Sequence, residues 1–244
     1  MQAQSTKKEV VKQLQAQINA MQGLGKTADV TAQRGFAPFA SAFPDKIFPT
    51  GAIHEFISYE PGEAASTSAF ITALTGKFIK SGGVCLWICP QRKIFPPALK
   101  HFGLVSDRIV FIEVPNVKNA LWTIEEALKC DMLTAVIGEI KEMGFTESRR
   151  LQLAVERSGV TGFIHRHRPR TENATACTAR WKVSPLPSLA PDNLPGVGYS
   201  SWDIQLLKIR NGRPDSWKIT WSDNEFISLE TERPVIALPE RHAG

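Results

Sequence analysis

The stretch from Ser58 to Ala65 has the position of a phosphate loop but lacks the residues that bind phosphate. A working loop reads G-x-x-x-x-G-K-[ST]: backbone N–H groups surround the phosphates, the lysine reaches the terminal phosphates and the hydroxyl binds Mg²⁺. In this register the glycine positions hold Ser58 and Glu63, and the lysine and hydroxyl positions hold Ala64 and Ala65. The carboxylate of Glu63 would repel a triphosphate. The sequence therefore predicts a degenerate phosphate loop that binds no nucleotide.

Two further requirements of an ATPase fail in the same register. The Walker B aspartate, which holds Mg²⁺, falls at Gly138, with Glu139 one position later. The glutamate that activates water falls at Gln91, whose amide does not titrate. Losing lysine, hydroxyl, aspartate and glutamate together leaves neither positioning nor charge stabilisation for phosphoryl transfer. We expect a protein that is not an enzyme, with a divergent active NTPase as an alternative.

The same pattern predicts what the altered loop does instead. Without a phosphate to neutralise, Glu60 and Glu63 should face water or cap a helix that begins near Ser66, where the helix dipole favours a carboxylate. We expect the loop of residues 58–65 to close the old pocket.

The elements around these residues predict an α/β fold. Residues 46–184 alternate apolar strand runs with helical segments, which indicates a three-layer core with a mainly parallel sheet. From Pro185 several prolines should break regular structure, and Asn211-Gly212 then predicts an antiparallel hairpin. We divide the chain into an N-terminal helix and linker (1–45), the core (46–184) and a C-terminal hairpin and tail (185–244).

Two sets of apolar residues are candidates for partner binding. Residues 5–22 carry a narrow apolar stripe at helical spacing, which either binds another chain or folds back on its own core. Tryptophans of the C-terminal hairpin are expected mainly in the core, with one exposed ring as a possible anchor for a partner. The residues concerned are Val11, Leu14, Ile18, Met21, Trp202 and Trp217.

A basic run follows the core strand that ends near Ile164. Between Arg157 and Lys182 there are six lysines and arginines but only one acidic residue, Glu172. Such a loop either neutralises nucleic-acid phosphates without reading sequence or is merely a solvated surface. No aromatic stacking platform lies in residues 165–180. The candidate DNA contacts are Arg166, Arg168, Arg170, Arg180 and Lys182.

Composition narrows the classes of protein. With 244 residues, 43% hydrophobic and a net charge of +5, the chain can bury one sizeable core. No apolar run approaches the ~18 residues of a membrane span, and the polar start lacks a signal-peptide core, so we expect a cytoplasmic protein without membrane contact. The four cysteines have no zinc spacing, and we interpret all four as reduced packing residues, with no metal or cofactor.

The order of the motifs resembles a known family. The chain contains, in this order, F-P-T-G-A-I-H-E-F, E-P-G-E-A-A-S-T-S-A-F, A-V-I-G-E-I, E-S-R-R-L-Q-L-A-V-E-R-S-G-V-T and A-R-W-K-V-S-P-L-P-S. Over most of residues 35–221 this is similar to the ImuA family, the inactivated RecA-like proteins of the bacterial damage-induced mutagenesis cassette. SulA-type division inhibitors share the broad ancestry and stay as an alternative.

The resemblance implies a function and a set of partners. It implies a RecA-like core in a non-hydrolytic accessory protein of error-prone DNA damage tolerance. The implied partners are an ImuB-like Y-family polymerase homologue and, indirectly, an error-prone C-family polymerase. Because recombinases dock their N-terminal helix on a neighbouring subunit, it also suggests contact with RecA or self-association through residues 5–22.

Overall fold

The sheet of this protein has nine strands. A computed structural model describes residues 36–79, 82–189 and 198–229. Within them the strands are β1 (Ile53–Ser58), β2 (Cys85–Cys89), β3 (Ile109–Glu113), β4 (Ala135–Ile140), β5 (Thr161–His167), β6 (Ala179–Leu189), β7 (Tyr199–Ile209), β8 (Asp215–Ser222) and β9 (Glu225–Ser228). Their order is β3-β2-β4-β5-β1-β6-β7-β8-β9. Neighbours from β3 to β6 are parallel, and neighbours from β6 to β9 are antiparallel.

Helices cover both faces of this sheet. The α-helices are α1 (Pro61–Ile79), α2 (Val117–Leu128) and α3 (Phe145–Ser158). One buried apolar cluster includes Phe70 and Leu74 of α1, and a second includes Ile124 of α2 and Leu151 of α3. The two clusters lie on opposite faces because successive side chains of a strand point to opposite sides. This confirms the predicted three-layer α/β core with a mainly parallel sheet.

Local signals set the helix ends. The Asn116 side chain accepts hydrogen bonds from the N–H groups of Lys118 (3.0 Å) and Asn119 (3.2 Å), which caps α2. The Glu147 carboxylate accepts from Gly144 N–H at 3.0 Å at the start of α3. α1 begins at Pro61 and not near Ser66. Proline suits the first helical position because it needs no N–H there and its φ is already helical.

The segment before β1 belongs to the core. Residues 37–46 form two short 3-10 helices, Ala37–Ala42 and Pro44–Lys46, and not the end of a linker. Their phenylalanines pack into the α1-side cluster because this segment covers apolar surface of β6 and α1. The buried rings are Phe36, Phe39, Phe43 and Phe48. The apolar stripe of Val11, Leu14, Ile18 and Met21 lies outside the described residues.

Strand β6 crosses the predicted domain boundary. It continues through Pro185 and Pro187, where we expected regular structure to break. β1 pairs with β6 only as far as Lys182, so the following part of β6 has a free edge among the described residues, where a strand tolerates proline. The boundary drawn between 184 and 185 therefore falls inside one continuous sheet.

The C-terminal hairpin is confirmed and is larger than expected. Asn211 has a φ of +59° between β7 and β8. A second, unpredicted turn at Asp223 and Asn224, with φ values of +52° and +57°, leads into β9. Two successive positive φ values are typical of the tightest hairpins, and Asp and Asn tolerate them better than most residues.

The structure contradicts the predicted role of Trp202 as an anchor for a partner and the predicted role of Cys130 as a packing residue. Trp202 is 2% exposed and packs against Phe70 and Phe102, so its ring is core and not a partner anchor. Trp217 is partly buried against Phe39 and Trp181. Cys130 is exposed, unlike the other three cysteines.

The described residues contain no feature of a membrane span or a metal centre. None of the helices in these ranges is long and apolar enough to cross a membrane. In the same ranges no three or more His, Cys, Asp and Glu side chains are grouped to hold a metal ion.

His54 is a buried titratable group in the central strand β1. Trp181 Nε1 donates to His54 Nδ1 at 3.2 Å, and His54 Nε2 lies 2.7 Å from the carbonyl oxygen of Pro49. The ring also stacks on Phe48. Burial, only partly opposed by the hydrogen bond to Pro49, lowers the pKa of His54 from 6.5 to about 4. The imidazole is therefore neutral in the folded protein.

We expect acid to destabilise the fold through His54. Because its folded-state pKa is lowered, its contribution is complete above pH 6.5 and is lost as the pH falls toward 4, by roughly 3 kcal/mol. Urea unfolding between pH 7 and pH 4 measures this. His54→Gln should flatten the pH dependence, whereas His101→Gln, at an exposed histidine, should leave it unchanged. Equal slopes for parent and His54→Gln would contradict this assignment.

Candidate functional site

A cleft of about 800 Å³ lies at the carboxyl ends of the parallel strands. Its floor includes Ser58 of β1, Glu139 of β4 and His167 of β5. One wall is the first half of α1, and the other is the segment of residues 90–102 that follows β2. Open parallel sheets bind ligands at this edge. The cleft is therefore the candidate functional site.

The structure brings together most of the residues that were predicted to form a degenerate nucleotide pocket. Those that line the cleft are Ser58, Ala64, Ala65, Gln91 and Glu139. Glu63 and Gly138 do not line it. The rest of the lining is largely apolar, with small side chains on α1 facing Ile94, Leu99 and Phe102.

A close approach of two backbones positions the walls. The 3-10 helix Pro96–Phe102 ends at Gly103, which has a φ of +81°. A Cβ at Gly76 of α1 would lie 2.9 Å from the Gly103 carbonyl oxygen. Glycine at position 76 therefore lets this segment pack on α1, and the walls separate toward the start of α1.

Glu63 occupies the anion-binding end of α1. Its Oε2 accepts hydrogen bonds from the N–H groups of Tyr59 (2.9 Å) and Glu60 (3.4 Å), and its Oε1 lies 3.2 Å from Lys182 Nζ. Burial disfavours the charge of Glu63, but these donors outweigh it and place its pKa below the ordinary value. The expected capping role of Glu63 is confirmed. The expectation that the loop closes the pocket is wrong, because the cleft stays open beside the cap.

Glu139 and not Gly138 faces the cleft. A Cβ at Gly138 would lie 2.9 Å from Ile124 Cγ1 of α2, on the opposite face of the sheet. Glu139 Oε1 accepts from Trp87 Nε1 at 2.7 Å, and its Oε2 lies 3.3 Å from His167 Nε2. The Glu139 carboxylate therefore lies in the cleft, one position after the Walker B register, and it already contacts two side chains of the protein.

Ser58 and two histidines form a polar row on the cleft face. Ser58 Oγ lies 2.9 Å from His165 Nε2, and the rings of His165 and His167 are 3.8 Å apart. Burial, with a smaller effect of His167, holds the pKa of His165 well below its ordinary value. A nucleophilic serine needs a base oriented by a third group, but His165 Nδ1 has no hydrogen-bond partner among the described residues. The described residues therefore contain no group that orients His165 as a base for Ser58.

The basic run is divided by the pleat of β5. β5 extends to His167, so the run begins inside a strand, where neighbouring side chains alternate between faces. His165 and His167 point toward the cleft, and Arg166 points to the other face. Arg166 is fully buried, and its Nη1 donates to Glu55 Oε1 at 2.7 Å. The prediction of Arg166 as a DNA contact is therefore wrong.

Glu55 holds a second arginine. Arg180 Nε donates to Glu55 Oε2 at 2.8 Å, as does Thr175 Oγ1 at the same distance. Arg166 Nη2 and Arg180 Nη2 also donate to Asn173, to its side-chain and main-chain oxygens. These bonds fix residues 168–178 against the sheet. They also direct the Arg180 guanidinium inward, so its predicted phosphate contact is wrong.

The remaining basic residues are accessible. Arg168 and Arg170 are exposed after the end of β5. Arg168 Nε donates to the Tyr59 carbonyl oxygen at 2.7 Å. The Lys182 side chain is 33% exposed and is paired with Glu63. Only these three of the five predicted contacts lie within reach of a ligand.

Sequence reasoning missed Glu55. A signal was present, because Glu55 lies inside the apolar run of β1, and a carboxylate inside a buried strand requires a buried partner. The partners themselves lie more than a hundred residues away in the chain, so their identity was not available from local pattern.

Replacing Arg166 should destabilise the fold strongly. Arg166→Leu removes one of the two arginines that neutralise the buried Glu55 carboxylate and leaves Glu55 Oε1 without its donor, and breaking a buried ion pair in this way costs about 3–5 kcal/mol. Arg170→Leu, which removes the same charge from an exposed site, should change the free energy of unfolding by less than about 0.5 kcal/mol. Urea denaturation of both variants measures the difference. Similar stabilities would show that the Glu55 network contributes nothing beyond surface charge.

The chain is similar to two kinds of bacterial protein. It is 30% identical over 187 residues to the protein ImuA of Caulobacter vibrioides (strain NA1000 / CB15N), covering 72% of this chain and 77% of that protein. It is 26% identical over 134 residues to the cell division inhibitor SulA of Yersinia pestis (strain Pestoides F), covering 55% of this chain and 79% of that protein. SulA of Yersinia pseudotuberculosis serotype O:1b (strain IP 31758) matches to the same extent. No protein-family model matches. The first similarity confirms the resemblance found in the sequence, and the chain belongs to the ImuA family.

Proposed function

We propose that this chain is a non-catalytic accessory protein of damage-induced mutagenic DNA synthesis. It acts by binding other proteins and does not hydrolyse ATP. One observation carries the proposal: the Glu63 carboxylate accepts hydrogen bonds from the N–H groups of Tyr59 and Glu60. An ATPase needs such N–H groups free for phosphate, and here an internal anion occupies them. Membership of the ImuA family supports the mutagenesis role.

The loop also lacks the side chains that hold a triphosphate in a phosphate loop. Ala64 and Ala65 stand where a lysine and a metal-binding hydroxyl are required. Two carboxylates, Glu60 and Glu139, line the cleft and oppose a polyphosphate. Gln91 replaces the base that would activate water. These residues support an inactive ATPase core.

We expect no magnesium-dependent ATP binding in the micromolar range. Titration calorimetry with the full chain, with an active RecA-type ATPase as positive control, measures this. Ala64→Lys alone should not create turnover, because the hydroxyl and the two acids would still be missing. A micromolar dissociation constant for Mg-ATP, or hydrolysis by the parent protein, would favour the divergent NTPase instead.

The proposed partners follow from the family resemblance. They are an ImuB-like polymerase homologue, an error-prone C-family polymerase reached through it, and RecA or a second copy bound by residues 5–22. Direct DNA binding is proposed only through Arg168, Arg170 and Lys182. If they contact phosphates, replacing them by alanine reduces the salt dependence of binding to a single-stranded oligonucleotide.

Deleting the gene in its bacterial host should reduce ultraviolet-induced mutation to the spontaneous level, while growth without damage is unchanged. Restoring the gene should return induced mutation to the parental level. The similarity to SulA makes a division inhibitor the second candidate. Filamentation on overproduction, together with unchanged induced mutation in the deletion strain, would favour that candidate and refute the mutagenesis role.

A further inference from the structure

We propose that the cleft binds an acidic peptide segment of a partner protein, with one large apolar side chain inserted between α1 and residues 94–102. The proposal rests on the accessory function above, because a protein that acts by binding needs a docking site. It names a surface and a chemistry that the family resemblance does not supply.

The shape of the cleft suits an extended segment. On α1 it is lined along its length by small side chains, which are Ala64, Ala65, Ser68, Ala69 and Thr72. With a rise of about 1.5 Å per residue, this wall is about 12 Å long, the length of three or four extended residues. Small side chains leave room for a chain to approach the helix closely. A volume of about 800 Å³ also holds a bulky anchor.

The opposite wall favours an apolar anchor. Ile94, Leu99 and Phe102 face the small residues of α1 across the cleft. An aromatic or large aliphatic side chain placed between them would be covered on both sides, which is how anchors at protein interfaces gain most of their binding energy. Ala98 lies between these residues and adds no bulk that would fill the space.

The charges at the cleft favour an acidic segment. Its two acidic lining residues already have partners, because Glu139 contacts Trp87 and His167, and Glu60 lies 4.0 Å from Arg168. The exposed lining residues Lys93 and Lys141 make no ion pair within the described residues. Carboxylates that flank an apolar anchor would complement them. A polyphosphate does not fit as well, because Glu63 occupies the N–H groups that would bind it.

Selection from a random peptide library on the purified full chain tests the proposal. We expect enriched sequences that place an aromatic or large aliphatic residue within a few positions of Asp or Glu. A synthetic peptide with the enriched sequence should bind in fluorescence anisotropy. The same peptide with its acids replaced by lysine should not bind.

Two changes of the cleft should weaken that binding by at least about tenfold. Ala65→Trp fills the space beside α1 at an exposed position, and the pair Lys93→Glu with Lys141→Glu reverses the charge without changing the shape. Leu153→Trp, which introduces the same side chain at an exposed position of α3, is the control and should bind like the parent. Thermal unfolding shows that each variant is folded.

Several outcomes would overturn the proposal. These are a failure to enrich any cleft-dependent peptide, enrichment of basic sequences, equal binding by Ala65→Trp and the parent, or competition by a single-stranded oligonucleotide for the same cleft. Because the test uses purified protein and peptides, its failure leaves the ATP and mutation measurements to decide the accessory function separately.

Discussion

The buried carboxylate of Glu55 is the constraint on which the centre of this fold depends. Removing one ion from water costs several kcal/mol, so a charge in the middle of a sheet persists only when it is paired and fully hydrogen-bonded. Glu55 meets this condition with Arg166 from β5, Arg180 from β6 and Thr175 from the connection between them. One side chain thereby joins three neighbouring strands. It also determines the path of the connection between β5 and β6, which the sequence alone suggests is a solvated loop.

Much of the fold follows from local pattern, because the patterns and the tertiary structure agree. Buried apolar strands that alternate with helices, and the Asn211-Gly212 turn, each have one stable interpretation. Several errors arose where a distant contact decided the outcome. The start of α1 is an exception, because Pro61 and the carboxylate of Glu63 set it locally. The burial of Phe39 and Phe43, by contrast, depends on Trp181 of β6, about 140 residues later. The prolines of β6 are tolerated because β1 ends its pairing at Lys182.

The sequence predicted where the candidate site lies, but not that it is an open cleft. Missing chemistry at Ala64, Ala65 and Gln91 can be recognised from a motif, since each position has a required residue type. The motif does not reveal whether other side chains fill the space beside these residues. That depends on side-chain volumes across the cleft, where α1 offers alanines and the residues 94–102 do not extend far enough to cover them. The DNA contacts predicted in the basic run were partly wrong for a related reason. Because β5 is pleated, neighbouring residues of the run lie on opposite faces of the sheet.

Two features of the cleft, besides the missing residues, support the proposal that it is not an ATPase site. Glu63 supplies the helix start with an anion of its own, so phosphate would have to displace a carboxylate that is held by Tyr59, Glu60 and Lys182. Gly138 lies so close to Ile124 that an aspartate there would force the Ile124 side chain to move and would place a carboxylate in the apolar cluster between α2 and β4. The packing around Gly138 is thus part of the core. Building a nucleotide site here would therefore cost stability before it produced binding, so the proposed occupant of the cleft must fit its present shape.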